Sequence, residues 1–284
     1  MPYNNEIVTY SQGPNAVGGI YVKDHNCLGK KSQMINHTHR DDYYVISIAT
    51  NGAMVMDCEL NKFQVKRNSI LIVKPYQIHS LREITEDYNG YFLGVQDFRI
   101  PNHLSDLLFT IPGNKQLISI SEEDLSLLTQ TFDLMRCYMK KDNTYQTQII
   151  NGLFSTALHK ICSLVESEHP ITDLALLSQP ALITSKFKRL ITHQTHLNLP
   201  SFFASQLNIT TAHLNDCVKK TTGQTASYWL KKSIIDEAKR LLYYTDKTVK
   251  EIAFNLGFED HTYFSRMFKK NTYQTPLEFR IEYR

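Results

Sequence analysis

The stretch TVKEIAFNLGFEDHTYFSRMFKK, residues 248–270, constrains the fold of this chain more than any other. Thr248 and Glu251 have the spacing of a capping box, which predicts that a helix begins there. Gly257 can take the left-handed backbone conformation that a sharp helix exit requires. Asp260 can then cap a second helix over the rest of the stretch. The segment predicts two helices joined by a tight turn, either a helix-turn-helix or an ordinary helical hairpin.

The same pattern occurs a second time, further upstream. Asn208 matches Gly257, and asparagine also tolerates the left-handed conformation. The other matched pairs share their apolar character and are Leu207 with Leu256, Ile209 with Phe258, Leu214 with Phe264, Val218 with Phe268 and Trp229 with Phe279. Turn, core and basic positions do not repeat together by chance, so two helix-turn-helix units are predicted, at about 201–220 and 248–270.

The segment 226–244 between the two units predicts a single helix. Its apolar stripe consists of Leu230, Ile234, Ala238, Leu241 and Leu242. About 18 helical residues span roughly 27 Å. This length is close to the ~34 Å between successive major-groove faces on one side of a duplex. One chain could therefore hold two DNA-reading helices about one turn of DNA apart, without a dimer.

Charge is unevenly distributed along the chain. From residue 181 onward there are 16 Lys and Arg against 9 Asp and Glu, while the net charge of the whole chain is only +3. A basic C-terminal third attached to an acidic remainder is typical of a nucleic-acid-binding module joined to another domain.

Residues 181–284 resemble the DNA-binding domain of the AraC/XylS family of bacterial transcription regulators. The resemblance rests on EIAFNLGFEDHTYFSRMFKK, on TAHLNDCVKKTTGQT and on Thr275-Pro276 followed by Phe279-Arg280. Two features depart from the family. Tyr273 stands where glycine is usual, so the exit from the second reading helix must turn without it. Asp216-Cys217 replaces residues that are often basic or bulkier.

The resemblance implies which residues contact DNA. They are Thr211, Ala212, Asn215, Lys219 and Lys220 in the first unit, and His261, Thr262, Arg266, Lys269 and Lys270 in the second. Arg266 could contact guanine and Asn215 adenine, while Ala212 offers a methyl contact to thymine. The lysines suit phosphates or stay solvated. Asp216 would repel phosphate, so it either meets a cytosine amino group or sits off the groove.

Residues 37–96 predict a β domain. Short β-branched and aromatic runs recur between turn residues, and Asn51-Gly52 predicts a two-residue hairpin. This spacing is typical of a barrel or sandwich. Residues 1–120 resemble the cupin-like sensor domain of the same family. The predicted fold class is therefore α+β, with an N-terminal cupin-like β-barrel and a C-terminal all-α domain.

Four residues of the β domain are predicted to bind a small-molecule effector, namely His37, His39, Tyr43 and His79. In metal-binding cupins, histidines at such positions hold an ion together with a carboxylate. Here the carboxylate position falls near Tyr43-Tyr44 and no Glu is present, so we predict neither a metal nor another cofactor. The alternative is that the three imidazoles hold Zn²⁺ or Fe²⁺ with open positions. The barrel interior is large enough in principle for one ligand.

Residues 97–120 predict an irregular crossover, and two helices follow, at 122–141 and 145–165. Their apolar stripes allow two roles, because the helices could form a dimer interface, as is common in the family, or simply cover the barrel. Residues 121–168 are assigned to this helical segment, and residues 166–180 to a linker rich in Pro and Ser.

Composition excludes other classes. No run approaches the roughly 18 apolar residues of a membrane span, and the first residues do not have the pattern of a signal peptide. The five cysteines are scattered without a CxxC pair, which argues against a disulfide frame or a zinc site and predicts a reducing cytoplasm.

The sequence therefore predicts a bacterial transcription regulator that is not an enzyme. We expect a homodimeric activator that binds promoter or operator DNA in the major groove, responds to an effector and contacts RNA polymerase. The alternative is a cupin-type metal-dependent enzyme with a basic DNA-binding tail, although no Ser/His/Asp or P-loop signature is present. A non-specific architectural DNA binder is a further alternative, since basic charge alone gives affinity without specificity.

Overall fold

A computed structural model describes residues 7–13, 16–24, 37–140, 144–169, 178–193 and 198–283. The chain divides into two compact units. The first comprises Met1–Asp97 with Leu107–Thr172, and the second comprises Phe98–Asp106 with Asp173–Arg284. The predicted combination of a sheet domain and a C-terminal helical domain is confirmed. Within the described ranges, no helix is both long and apolar enough to cross a membrane.

The first unit is built on ten strands in the described part of the chain. They are β1 (Thr9–Tyr10), β2 (Ile20–Asp24), β3 (Arg40–Asp41), β4 (Tyr44–Asn51), β5 (Ala53–Cys58), β6 (Asn61–Lys66), β7 (Ser69–Val73), β8 (His79–Ile84), β9 (Asn89–Val95) and β10 (Leu117–Ser119). Five strands form an antiparallel sheet in the order β10-β7-β4-β9-β2, and three form a second sheet, β6-β5-β8. The short strands β1 and β3 pair in parallel.

The two larger sheets share one apolar core. The five-stranded sheet contributes Ala49, Leu71 and Val73, while the three-stranded sheet contributes Met54, Met56, Cys58, Phe63 and Val65. Alternate side chains of a strand point to the same face. Since Val45 and Ala49 of β4 both contact this cluster, Ser47 between them faces the same interior.

The turn at Asn51-Gly52 does not form the predicted hairpin. β4 pairs with β7 and β9, whereas β5 pairs with β6 and β8, so the chain changes sheets here. Gly52 has a φ of +61°, and a Cβ added to it would lie 2.6 Å from the backbone nitrogen of Tyr88. The local turn signal locates the positive φ correctly. It could not tell which strands pair, because pairing depends on which faces are buried over a long range.

Residues 97–120 are more regular than the predicted crossover. A 3₁₀ turn at Asp97–Arg99 leads into α1 (Asn102–Thr110), and β10 adds to the edge of the five-stranded sheet beside β7. A strand of three residues is too short to give a periodic signal, which explains why the sequence did not reveal it.

Two long helices complete the first unit, α2 (Glu122–Met139) and α3 (Gln146–Glu168). Ser121 caps α2, since its Oγ accepts the Asp124 backbone N–H. The Tyr91 hydroxyl on β9 donates to Asp133 at 2.8 Å, and Arg136 pairs with Asp24 on β2 at 2.7 Å. α2 therefore covers the five-stranded sheet. Dimerisation through these helices stays a prediction.

The second unit is all-helical apart from its turns. Its helices after the linker are α4 (Gln179–His193), α5 (Pro200–Gln206), α6 (Thr211–Thr222), α7 (Ala226–Tyr244), α8 (Val249–Asn255), α9 (His261–Thr272) and α10 (Pro276–Tyr283). The linker begins later than the predicted residue 166, because α3 extends to Glu168. Residues 170–177 of the linker lie outside the described residues. Leu199, rather than a polar residue, occupies the N-cap of α5, and Pro200 follows as the first helical residue.

Candidate nucleic-acid interface and effector site

Both predicted helix-turn-helix units are present, and their turns have matching backbones. Asn208 and Gly257 take φ values of +55° and +88°. In the first turn the Ile209 N–H donates to the carbonyl of Ala204 at 3.0 Å, and in the second Phe258 N–H donates to Ala253 at 3.0 Å. The matched hydrogen bonds show that the internal repeat read from the sequence is a structural repeat, and this excludes the plain helical hairpin.

The capping residues of the second helix-turn-helix unit, α8 and α9, act as predicted. The Thr248 Oγ1 accepts the Glu251 N–H at 3.2 Å, and the Glu251 carboxylate accepts the Thr248 N–H at 2.7 Å. Asp260 accepts the N–H groups of Thr262 and Tyr263 at the start of α9. Hydrogen bonds from Thr248 lower the pKa of Glu251, and those from Thr262 lower the pKa of Asp260. Both carboxylates are therefore stabilised in the charged form.

The two reading helices also end alike. Gly223 closes α6 with a φ of +73°, and Tyr273 closes α9 with a φ of +63°. The departure from the family noted above is thus resolved by the tyrosine itself taking the left-handed conformation. Thr222 and Thr272 repeat one further arrangement, in which each Oγ1 accepts the backbone N–H two residues later.

α9 turns a basic polar face outward. Its predicted contact residues His261, Thr262, Arg266, Lys269 and Lys270 are all exposed. Phe264 and Phe268 lie on the opposite side and are fully buried. Residues three and four apart are neighbours on a helix surface, so the span from Thr262 to Lys270 forms one continuous patch of donors. Such a patch can approach base edges and phosphates together.

α6 presents a different chemistry at the equivalent positions. Ala212, Lys219 and Lys220 are exposed, and Thr211 is half-buried. Asp216 is also exposed, and it occupies the position that Arg266 occupies in the second unit. One reading helix therefore offers a hydrogen-bond acceptor where the other offers donors.

Asn215 is engaged inside the domain. Its Oδ1 accepts the backbone N–H of Ala226, the first residue of α7, at 3.1 Å. Its Nδ2 donates to the carbonyl of Thr211 at 3.2 Å. A bidentate contact to adenine needs the same two atoms. The bond to Ala226 ties α6 to the following helix and gives Asn215 a structural role that the sequence pattern did not indicate.

The connecting helix α7 is continuous from Ala226 to Tyr244. Its 19 residues correspond to a length of roughly 28 Å. Trp229 anchors α7 to the first helix-turn-helix unit, because its Nε1 donates to the Thr222 Oγ1 at the end of α6 at 2.8 Å. The fully buried residues of the helix are Ala226, Trp229, Ile235, Asp236, Ala238, Leu242 and Tyr243. Of the predicted stripe, Ala238 and Leu242 are buried, and Ile234 and Leu241 pack partly buried against the same core.

One contributor to the core of the second helix-turn-helix unit was not visible in the sequence. Phe98 lies 1% exposed among residues of α7 to α10, with its ring centroid 5.7 Å from that of Phe279. The Arg240 guanidinium donates to the backbone carbonyls of Phe98 and Ile100. The segment 98–106 is distant in sequence from these helices, and periodicity contains no information about such contacts.

Three of the four predicted effector residues, His39, Tyr43 and His79, lie near one another in the first compact unit. The fourth, His37, is exposed, and Asp41, which was not predicted, lies among the buried residues. His39 and His79 are both buried, and their ring centroids are 4.2 Å apart. His37 is exposed, and its Nε2 hydrogen-bonds the Tyr10 hydroxyl at 2.8 Å. Asp41 lies beside the two buried histidines, two residues before the Tyr43-Tyr44 position at which a carboxylate was expected.

The alternation of β3 explains this addition. Residues 37, 39 and 41 follow a period of two, which places their side chains on the same face of an extended segment. The pattern His-x-His-x-Asp is therefore a sequence signal for this cluster. Tyr43 hydrogen-bonds the Asp41 carboxylate, and burial followed by the Asp41 charge raises the pKa of the Tyr43 hydroxyl.

The described cysteines are consistent with the expectation of free thiols. Cys58, Cys137, Cys162 and Cys217 form no disulfide. Burial raises the pKa of Cys58 and of Cys162 to about 12, which leaves both thiols protonated and unreactive near neutral pH.

Two domain families match the chain in the order that the structure shows. The AraC-like ligand binding domain family matches residues 31–160, and the helix-turn-helix domain family matches residues 203–281. The first covers strands β3 to β10, the helix α2 and most of α3. The second covers both reading helices and the helix that connects them.

Relatives of similar length match most of the chain. The chain is 26% identical to the HTH-type transcriptional activator RhaR of Mannheimia succiniciproducens, over 87% of each protein. It is 24% identical to the arabinose operon regulatory protein of Salmonella typhimurium, over 84% of this chain and 83% of that protein. A solved structure, ToxT from Vibrio cholerae, covers 93% of this chain and 97% of that chain at 16% identity, with a TM-score of 0.40. The two domain families and the two sequence relatives together show that the chain belongs to the AraC family of transcriptional regulators.

Proposed function

We propose that the chain is a sequence-specific transcriptional activator, whose β domain binds a small-molecule effector and whose α2 and α3 form a homodimer interface. The observation that supports DNA reading most strongly is the exposed face of α9, where Thr262, Arg266 and Lys270 stand on one side of a helix whose other side is buried. The relative RhaR is named as an activator, which supports activation, and an activator must contact RNA polymerase at the promoter.

In this proposal the two helix-turn-helix units recognise different features of the DNA. Arg266 reads guanine through its two-pronged guanidinium, with His261 and Thr262 beside it. Lys269, Lys270, Lys219 and Lys220 contact phosphates and set the register. In α6, Ala212 and Thr211 offer methyl and hydroxyl contacts, and Asp216 accepts a hydrogen bond from a cytosine amino group. Asn215 positions α7 rather than a base.

The test is a selection of preferred sites from random DNA, with Arg266→Ala compared with the wild type and with Lys186→Ala. Lys186 is exposed on α4 and belongs to neither reading helix, so its replacement is the matched loss of one positive charge. We expect Arg266→Ala to lose preference at one base position, equivalent to about 1–3 kcal/mol, while Lys186→Ala keeps the wild-type profile. A wild-type profile from Arg266→Ala would reject the assignment.

The effector is proposed to enter the interior of the β domain near His39, Tyr43 and His79. Ser47 supports an interior site, because its Oγ is buried and lacks a hydrogen-bond partner in the described residues. A buried hydroxyl without a partner is costly, and a polar ligand would satisfy it. A screen of small polar metabolites by thermal shift tests this, with Ser47→Ala expected to weaken the response to any hit.

The dimer is proposed from the outer face of α2. Leu127 and Leu134 are two helical turns apart and are each 50% exposed. An apolar pair at this spacing suits a helix-to-helix seam. The dimer is tested by sedimentation of the wild type and of the double variant that carries both Leu127→Glu and Leu134→Glu. The two introduced charges should shift the protein towards the monomer.

The enzyme alternative retains one specific observation. Asp41 supplies the carboxylate whose apparent absence argued against a metal-dependent enzyme. Turnover of oxidisable small molecules by the purified, iron-loaded protein would favour this alternative, and its relatives argue against it because they are transcriptional regulators.

A further inference from the structure

We propose that His39, Asp41 and His79 form a binding site for a divalent first-row transition metal. The ligand atoms of the three side chains all lie within 4.8 Å of one another, and the three residues are buried. The proposal concerns the same end of the domain as the proposed effector site. It shares His39 and His79 with that site, but its test is independent because metal binding is measured without effector or DNA.

The backbone fixes the two histidines opposite each other. The His39 N–H donates to the His79 carbonyl at 3.0 Å, and the His79 N–H donates to the His39 carbonyl at 2.9 Å. This exchange is that of a hydrogen-bonded antiparallel pair, whose side chains share one face. The ligand positions therefore come from paired backbone rather than from a loose loop, which is the support that a metal site requires.

Hydrogen bonds also fix which ring nitrogen faces the cluster. The His39 Nδ1 lies 2.8 Å from the carbonyl of His37, and the His79 Nδ1 lies 3.0 Å from the carbonyl of Gln77. A carbonyl only accepts, so each Nδ1 carries the hydrogen. In the neutral rings the lone pair is then on Nε2. A metal-binding histidine normally has its other nitrogen held in this way.

Both Nε2 atoms converge on one carboxylate oxygen. Asp41 Oδ2 is 3.2 Å from the Nε2 of His79 and 3.9 Å from that of His39. Ligand atoms around one ion with bonds of 2.0–2.2 Å are roughly 3.0–3.4 Å apart. The 3.2 Å separation already lies in this range, while the 3.9 Å separation must close by about 0.5 Å or more on metal binding. The Tyr43 hydroxyl bonds the same carboxylate and holds its orientation.

The ligand set indicates the class of metal. Two imidazoles and one carboxylate suit Zn²⁺, or Fe²⁺ with open positions, better than they suit Mg²⁺ or Ca²⁺, which prefer oxygen ligands. Three protein ligands leave at least one coordination position for water or another small molecule. The three residues can alternatively share a proton, with His79 as a cation against Asp41, and a metal titration separates the two.

The experiment is a titration of tag-free, full-length protein with Zn²⁺ by calorimetry, and with Co²⁺ by visible absorption. The variants are Asp41→Asn, which keeps the size of the side chain, and His79→Ala. The matched control is His159→Ala, because His159 is exposed on α3 of the same unit. Circular dichroism confirms that each variant is folded, and Asp41→Asn provides the test if His79→Ala is not.

We expect one metal per chain in the wild type and in His159→Ala, with a rise in thermal midpoint on metal addition and d–d bands for Co²⁺. Asp41→Asn and His79→Ala should lose affinity by about 100-fold or more, at the upper end of what even outer-shell changes cause. The proposal is overturned if the wild type binds no metal stoichiometrically, or if folded Asp41→Asn binds as tightly as the wild type.

Discussion

At the scale of single residues, the two reading helices differ most at the equivalent positions of Asp216 and Arg266. Both side chains are exposed to solvent, so neither is part of the core of the domain. An acid accepts from cytosine and a guanidinium donates to guanine, which means that the two halves of a binding site should not be copies of each other. The acid also costs affinity for any phosphate nearby.

The effect of Asp216 can be measured by reversing its charge. Asp216→Lys should raise affinity for random DNA and steepen the dependence of log K on log salt by about one, because it adds one phosphate contact. Glu83→Lys makes the same charge change on the β domain and should leave the slope unchanged. Fluorescence anisotropy at several salt concentrations gives both values, and equal slopes for the two variants would contradict the placement of Asp216 on the DNA-facing side.

Tyr273 is the second residue whose chemistry predicts a measurable effect. A positive φ costs a residue with a Cβ about 1–2 kcal/mol, and Tyr273 is 90% exposed, so little packing compensates for it. Tyr273→Gly should therefore stabilise the second unit by about 1 kcal/mol, as followed by urea unfolding. Gly223→Ala at the matched position of α6 should destabilise it. A loss of stability in Tyr273→Gly would mean that the ring makes contacts that outweigh the strain.

At the scale of elements, the last three helices, α8, α9 and α10, each begin with a carboxylate that accepts backbone N–H groups. Glu251 and Asp260 accept backbone N–H groups, and Glu278 accepts the Thr275 N–H at 2.6 Å at the start of α10. These hydrogen bonds lower the pKa of all three carboxyls. The caps are therefore in place at neutral pH and are sensitive to acid.

The capping box gives a prediction with a defined sign. The pKa of Glu251 is lower in the folded protein than in the unfolded chain, so its contribution is complete above the unfolded value of about 4.5 and is lost as pH falls through the folded value. Glu251→Gln should thus be less stable than the wild type at pH 7 and approach it under acid conditions. Amide hydrogen exchange in α8 reports this locally, and a difference that persists undiminished at pH 3 would argue against the cap.

At the scale of the whole molecule, local signals predicted the second unit much better than the first. Capping residues, turn residues and helical periodicity act within a few positions, and for that reason Thr248, Gly257 and Asp260 were assigned correctly. Strand pairing and the docking of a remote segment act over long distances. The Asn51-Gly52 hairpin and the crossover at 97–120 were wrong for this reason.

The candidate sites divide in the same way. The exposed residues of α9 could be named from a repeated motif, because a helix fixes which side chains share a face. The bond from Asn215 to Ala226 depends on how two helices meet, which no pattern reveals. Asp41 is an intermediate case, since alternation along a strand placed it beside His39, while only the fold brought His79 to the same point.

The packing of Phe98 yields a prediction for the second unit as a whole. Phe98→Ala should lower the free energy of unfolding of this unit by about 3–4 kcal/mol, because a fully buried ring leaves a cavity. His103→Ala changes an exposed residue of the same segment and should have little effect. Thermal unfolding with hydrogen exchange in α7 and α10 locates the loss, and a wild-type midpoint for Phe98→Ala would show that the ring is dispensable.

The membership of residues 98–106 in the second unit has a practical consequence for protein engineering. A fragment that starts at residue 178 contains both reading helices but lacks Phe98. The ring of this residue packs against the rings of Tyr243, Phe279 and Tyr283. Chimeras that graft these helices onto a foreign sensor should therefore carry this short peptide with them, or supply another side chain of the same shape, if the transplanted half is to stay soluble.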